Sequence, residues 1–558
     1  MLDRSVAGVL LLIPIVAFWF VWNQYAVNVP KWDDHVLRAF LFNLDNETSV
    51  SGKIYQFFKQ HNEHRIVYDR VVTWVDFSLF GKLSYRHLTI VGNLSLLGIL
   101  VIFGNVLGRS IAGSGKDYLT NGLFYLAPVA FLLLNLSHWE NMFWGMASLQ
   151  NFTVMLWVFW SIYLLAFTER IWPAFLLAIA ATLTSGNGLL VWPIGFAILL
   201  VQFLSEKRPY RWALLIWAVG AIGLITLYFY DYQKPPGNPA VRGTFFDLLK
   251  GWLAFNGAAA EAFPIATPFA ECLILGGIIT ALVLFSWLYC LEKGLIIKRF
   301  SSFTYFFVAT TAFLLVTAAT VAWSRVGFGM NGLITSRYKL YSLLLLSLIY
   351  SFTIVQQQRT GRTWAFYAGL VFSFILMGSS YLTYLSDTTW LRQWSLTNQF
   401  NWTHNANNPT ISIDSVSKHY TSLAPAFYDR VLPAIFGPTN QTAVPIKLAK
   451  TPDEYSVSNT TMPPLGLVDA GNYILARSGK RSYLFPVRQQ QQPIRRALVQ
   501  PGNLLLTGFQ THISPAEMNA GTYQLFILAI LDNKAIVYPT NQTIESAGPP
   551  ATTLKKNW

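Results

Sequence analysis

With 558 residues, 53% of them hydrophobic and only 12% charged, the chain carries about half the charge of an ordinary soluble domain, so lipid is its solvent over much of its length. The formal charge of +14 is scattered as Lys and Arg in short loops between apolar runs, without the single basic stripe or patch of a nucleic-acid-binding surface. It reads instead as membrane topology and contact with anionic membrane lipids, and the only cysteines, Cys272 and Cys290, share one apolar run and offer no disulfide framework.

The first apolar stretch, from about Val6 to Val27, is too long for a signal-peptide core and has no persuasive small-residue cleavage site, which predicts a first transmembrane helix. On the ruler of about 20 apolar residues per crossing, further spans are predicted near 88–107, 118–137, 151–168, 172–185, 188–204, 211–230, 270–291, 303–323, 338–355 and 364–385, about eleven in all. The loops GRSIAGSGK, TER, SEKRPYR, LEKGLIIKR and QQQRTGR alternate with loops poorer in positive charge, and Arg4 precedes the first span. The positive-inside rule therefore puts them and the N-terminus in the cytoplasm.

The segment 29–86 is then a first outer loop despite its Lys and Arg residues, and is about long enough to escape that rule. Apolar residues at Val36, Leu37, Phe40, Leu41 and Leu44, then Ile54, Phe57 and Phe58, predict amphipathic helices at the membrane surface. From 386 to 558 the composition turns to Asn, Thr, Pro, Ser and Gln, with short β-prone runs YILA, SYLFPV, LLLTGF and YQLFILAIL between turn residues. The expected architecture is an all-α polytopic membrane domain, 1–385, followed by a small β-rich extracytoplasmic domain, 386–558, with the QQQQ run at 489–492 in a loop.

In PKWDDH, Asp33 and Asp34 follow the first span by a few residues, close to the outer membrane boundary. Adjacent carboxylates there can act as base and orienter, their pKa tuned by desolvation or a neighbouring cation; they can equally cap the helix beginning HVLRAF. QHNEHRIVYDR packs His61, Glu63, His64, Arg65, Asp69 and Arg70 into about three predicted helical turns, with His61, His64 and Arg65 on one face able to meet a phosphate. A metal site of His35, His61 and His64 is conceivable, but no established ligand spacing is present, and no metal or other cofactor is expected.

SHWENMFWG supplies His138, Trp139 and Glu140, and SGNGLLVWP supplies Asn187 and Trp192. Apolar ring faces beside polar groups suit a sugar or its acceptor, although Trp is enriched at membrane interfaces in any case. In WSRVGFGMNGLITSRYK the cations Arg325, Arg337 and Lys339 sit at outer edges, against the positive-inside trend. They can hold a lipid phosphate or simply snorkel.

WDDH, the helical first loop, the span count and the outer tail together resemble the GT-C superfamily of polytopic glycosyltransferases, and QHNEHRI, SGNGLLVWP and SRY at 336–338 resemble segments of bacterial surface-polysaccharide glycosylation proteins, over about residues 1–385. The resemblance implies a polyprenyl-phosphate-linked sugar as donor, a glycan or glycolipid acceptor, and direct displacement in a bacterial inner membrane with the tail periplasmic or extracellular. It assigns the base to Asp33 or Asp34, the donor phosphate to His64, Arg65, Arg325, Arg337 and Lys339, and sugar or acceptor contacts to His35, Glu63, His138, Trp139, Glu140 and Asn187. A flippase of lipid-linked saccharides would place ionisable groups near mid-membrane, whereas almost all of these lie at span edges; an O-antigen polymerase or ligase is the nearer alternative.

Overall fold

The computed structural model describes residues 4–112, 118–168, 170–206, 211–235, 243–263, 267–297, 299–404, 419–492, 505–531 and 534–549. Among them ten helices are long and apolar enough to cross a bilayer, beginning with Val6–Tyr25 and Tyr85–Ala112 and ending with Met330–Gln356 and Thr360–His404, so the chain is an integral membrane protein by length and composition. The additional span expected near 172–185 is the helix Ile171–Thr184, whose 14 residues rise only about 21 Å against a hydrocarbon core of about 30 Å. It stops at a turn, Ser185–Gly186–Asn187, after which the chain folds back against it. A Cβ on Gly188 would lie 2.1 Å from the Ala181 carbonyl oxygen, so only glycine permits that return. Parts of the positive loops, including Lys116, Glu169, Lys207, Arg208 and Lys298, lie outside the described residues.

The chain divides into two compact units, one made of 1–21, 47–72 and 87–383, the other of 22–46, 73–86 and 384–558. Each is therefore discontinuous in sequence, and the unit holding the C-terminal sheets also takes in both ends of the first long loop.

That loop forms three helices after α1 (Arg4–Tyr25): α2 (Asp34–Asn46), α3 (Val50–Phe58) and α4 (Val67–Phe80). In α2 the apolar face predicted by spacing is buried at Leu37, Phe40, Leu41 and Leu44. In α3, by contrast, Val50, Ile54, Tyr55 and Phe58 are exposed, as a helix lying against lipid would be.

In the first unit, helix Phe245–Asn256 packs on helix Pro268–Ile297 at backbone distance. A Cβ on Gly276 would fall 1.8 Å from the Leu253 carbonyl oxygen, the close approach that small residues permit between membrane helices.

The second unit carries two antiparallel four-stranded sheets, in orders β1-β2-β6-β5 and β4-β3-β7-β8. The strands are β1 (Lys447–Lys450), β2 (Tyr455–Asn459), β3 (Gly471–Arg477), β4 (Ser482–Pro486), β5 (Arg488–Gln491), β6 (Leu505–Ile513), β7 (Gly521–Leu531) and β8 (Lys534–Ser546). YILA, SYLFP, the described part of LLLTGF from 505 to 509, and YQLFILAIL fall on β3, β4, β6 and β7.

Two expectations are corrected. Gln489–Gln491 are not in a loop but in β5, paired with β6, because a partner strand satisfies their backbone whatever their side chains prefer. Nor does the last span give way near 386 to β-structure: one helix runs from Arg359 to His404, 46 residues and about 69 Å, more than twice a bilayer core. Its polar C-terminal part is held by the second unit's core, where Leu396, Phe400 and Trp402 pack with Phe427, Tyr428 and Val431. There Asn401 donates to the Leu484 carbonyl at 3.0 Å and accepts its N–H at 2.8 Å, so this buried asparagine serves as backbone partner to β4.

Candidate functional site

The predicted site residues fall into both units. Glu63, His64, Arg65, His138, Trp139, Glu140, Asn187, Arg325, Arg337 and Lys339 belong to the first, and Asp33, Asp34 and His35 to the second.

In the first unit, QHNEHR is not helical. His61 and His64 exchange backbone N–H···O bonds of 2.8 Å around Asn62, which takes the left-handed conformation at φ 46° that Asn tolerates, and helix resumes only at Val67. The predicted common helical face of His61, His64 and Arg65 therefore does not exist, and the turn sends each side chain to a different partner. Arg65 donates through Nε to the Tyr228 carbonyl at 2.6 Å, through Nη1 to Phe58 at 2.7 Å and through Nη2 to Tyr230. With every nitrogen committed to backbone, Arg65 braces the loop instead of presenting a fork to a phosphate.

His64 Nδ1 accepts the Gly186 N–H at 3.1 Å, which leaves the ring proton on Nε2. Burial holds its pKa below the usual imidazole value, Glu63 pulling upward and Arg325 downward. His64 is thus neutral at pH 7, so toward the donor phosphate it could offer only a neutral N–H.

The three predicted phosphate-binding cations at span ends each face a carboxylate. Arg325 Nη2 donates to Glu63 Oε1 at 3.1 Å, with the side chains 34% and 23% exposed. Arg337 Nε lies 3.7 Å from Glu140 Oε2, its guanidinium 41% exposed and 5.7 Å over the Trp144 ring. Lys339 is buried and paired with Glu261, which sequence reasoning passed over.

These pairs are tied together through the Ser185–Asn187 turn. Gly186 binds His64 beside Glu63, while Asn187 Nδ2 donates at 2.8 Å to the Tyr341 hydroxyl, one helical turn from Arg337. Glu140 N–H bonds Ser336 Oγ at 2.9 Å and Asn141 Nδ2 bonds the Arg337 carbonyl at 3.0 Å, joining the same locus to SHWEN. Asn187 Oδ1 is buried without a hydrogen-bond partner, an acceptor that a ligand hydroxyl or N–H would satisfy.

Two aromatic expectations change. His138 is fully buried, edge-on to Phe152 and Phe18 at 5.2 and 6.3 Å, which removes it from any sugar or acceptor contact. Trp192 is also fully buried, its Nε1 on Thr182 at 2.9 Å and its ring 5.2 Å from Trp217, and is core, not interface. Trp139, at the start of helix Trp139–Phe143, stays partly exposed.

In the second unit, Asp34 Oδ2 accepts the Lys31 N–H at 3.1 Å while Asp34 N–H returns to the Lys31 carbonyl at 2.8 Å, closing the turn that starts α2. Asp34 is 1% exposed, whereas Asp33 is partly exposed. Between them and Lys31 stands Trp32 at φ 41°, a left-handed bulky residue of the kind that persists only where its surroundings impose it. Its ring lies tilted 5.4 Å from Trp394, which stacks 6.2 Å from Trp390, itself under Arg488 at 4.5 Å. The four-residue spacing of Trp390 and Trp394 was the available sequence signal for this row. His35 accepts from Arg38 at 3.1 Å and lies edge-on to Trp402, and burial followed by the Arg38 charge lowers its pKa to about 3, so it too is neutral.

Among the described residues no group of three or more His, Cys, Asp or Glu side chains is placed to hold a metal ion. No protein-family profile, curated protein or solved structure matches the chain.

Proposed function

We propose that the protein is a membrane glycosyltransferase that moves a sugar from a polyprenyl-phosphate donor to a glycan or glycolipid acceptor on the extracytoplasmic side of a bacterial inner membrane. The observation that carries this reading is the pair of half-exposed guanidiniums, Arg325 and Arg337, held at span ends around the Asn187 turn. A lipid phosphate lies at that depth, and a guanidinium that exchanges its carboxylate for a phosphate keeps its charge paired.

In the proposed reaction an acceptor hydroxyl oxygen forms a bond to the anomeric carbon as the bond from that carbon to the phosphate oxygen breaks. The departing polyprenyl phosphate keeps the electron pair and gains a negative charge, which Arg325 and Arg337 stabilise. The hydroxyl proton goes to a carboxylate. By the resemblance this is Asp33 or Asp34, and of the two we assign Asp33, because Asp34 is buried as the closing group of its turn.

The test is transfer from radiolabelled polyprenyl-phosphate sugars to envelope glycolipid by the purified protein, wild type against Asp33→Asn and Arg325→Gln. Loss in both folded variants supports the reading, and wild-type rates in both reject it. The buried Lys339, paired with the partly exposed Glu261, favours a second reading, a flippase of lipid-linked saccharides, since buried charges in a helix bundle mark translocation paths in transporters. That reading predicts movement of the labelled lipid between leaflets with no new glycosidic bond.

A further inference from the structure

Helix Arg359–His404 carries Ser386, Asp387, Trp390, Gln393 and Trp394 at helical spacing on one face. Strand β5 lies along that face: Arg488 pairs with Asp387 and covers the Trp390 ring at 4.5 Å, and Gln491 Nε2 donates to Ser386 Oγ at 2.6 Å. The loop before β3 closes another side, where Gln393 Nε2 donates to the Val468 and Ala470 carbonyls at 3.2 and 3.3 Å. Trp32 completes the row against Trp394, and all of these residues belong to the second unit.

Among the described residues β5 is an edge strand, and its register shifts between Gln489 and Gln491. Such an irregularity re-aims successive side chains, and Arg488, Gln490 and Gln491 are all exposed. Gln489 Nε2 donates to the Gly466 carbonyl at 3.1 Å, while its Oε1 is buried without a hydrogen-bond partner. The glutamine run thus sets amides and a guanidinium beside three indoles that keep open surface, Trp32 at 39% exposure and Trp390 and Trp394 in part.

This combination suits a saccharide chain. A pyranose ring has apolar C–H faces, which an indole face attracts, and a rim of hydroxyls, which planar amides and guanidiniums hold in pairs. Centroid steps of 5.4 and 6.2 Å match successive units of such a chain. Arg488 and Arg392 already face Asp387 and Asp469, so recognition runs through hydrogen bonds and ring faces and requires no charge on the ligand. The row is also too far along its helix to be an interfacial tryptophan belt. From Trp364, the first exposed apolar side chain of the helix, about 20 residues rise about 30 Å, a full hydrocarbon core, and reach Tyr384. Trp390 and Trp394 stand about 9 and 15 Å further along, past a headgroup layer of about 5–8 Å.

We infer that the row Trp32–Trp394–Trp390, bordered by Arg488 and the Gln489–Gln491 strand, binds an oligosaccharide chain. The site needs neither donor nor transfer step and does not depend on the reaction proposed above.

The test is fluorescence anisotropy of fluorescein-labelled maltohexaose, cellohexaose, chitohexaose and mannohexaose titrated with the purified full chain in a sugar-free zwitterionic detergent, without donor. Wild type is compared with Trp390→Ala, Trp394→Ala and Gln490→Ala, and with Trp364→Ala as the control for loss of an exposed tryptophan elsewhere. The expected result is saturable binding of at least one glycan, weakened about fivefold or more in each row variant, about threefold in Gln490→Ala, and unchanged in Trp364→Ala. Absence of saturable binding for all four glycans, or wild-type binding in both Trp390→Ala and Trp394→Ala, overturns the site. Equal weakening in Trp364→Ala overturns it as well, since the glycan then has no preference for the row. Should neither row variant yield monodisperse protein, Gln490→Ala and the exposed Arg488→Gln decide, and wild-type binding in both overturns the site.

Discussion

Exchanging either partner of the Glu63–Arg325 pair separates a phosphate-binding arginine from one that merely holds the fold. The pair closes at 3.1 Å with side chains 34% and 23% exposed, so solvent screening leaves it worth about 0–1 kcal/mol. Removing either partner therefore costs stability in the same small amount. Donor binding moves in opposite directions. A charge-assisted bond from Arg325 to the donor phosphate is worth about 1.5–3 kcal/mol, so Arg325→Gln raises the donor KM by about 10- to 150-fold. Glu63→Gln removes the carboxylate with which the phosphate competes, and lowers the donor KM by up to about fivefold, the equivalent of about 1 kcal/mol. The assay is initial-rate transfer over a donor series in detergent, with thermal unfolding of each variant alongside. If both substitutions raise KM together, or neither moves it, Arg325 does not hold the donor phosphate and the reasoning fails.

Three further outcomes follow from the same structure. Asp33→Asn lowers the transfer rate by about 10²-fold or more, the range for loss of a positioned base, without a shift in unfolding temperature; Asp34→Ala lowers the unfolding temperature by opening the turn at Lys31, and a reversal of these two phenotypes would exchange the assignments. Burial lowers the His61 pKa to about 4, the Arg70 charge adding to the effect, whereas the unfolded side chain titrates near 6.5. The unfolded state then binds the extra proton between these values, so stability is full above about pH 6.5 and falls as pH drops toward 4; in His61→Gln the thermal unfolding profile is flatter over that window. For orientation, a cysteine at the exposed position of Lys480 reacts with an impermeant maleimide in intact cells and one at Arg299 reacts only after permeabilisation, and the opposite pattern would invert the topology.

The membrane class, most span positions and the β-prone runs of the tail were legible because each depends on local composition: about 20 apolar residues make a span wherever they occur, and alternating β-branched and aromatic residues make strands. The apolar spacing of α2 likewise named its buried face correctly. What local pattern did not contain was partner choice. Arg65 looks like an anion ligand until the carbonyls of Phe58, Tyr228 and Tyr230 occupy it, and His64 looks like its partner on one helical face until the turn commits Nδ1 to Gly186 and burial holds the ring neutral.

The same limit explains the helix to His404 and the strand at Gln489–Gln491. Polar residues that favour loops in isolation are held in regular structure when a neighbouring strand or core satisfies their backbone and side chains, as Leu484 does for Asn401. Sequence alone thus determined most of the segments that are long and apolar enough to cross a bilayer, because transfer free energy is set residue by residue. Only the tertiary structure decided that Arg325 meets Glu63, that Arg337 faces Glu140 and that Lys339 is buried against Glu261, because hydrogen bonds and ion pairs act over a few ångströms between residues far apart in the chain.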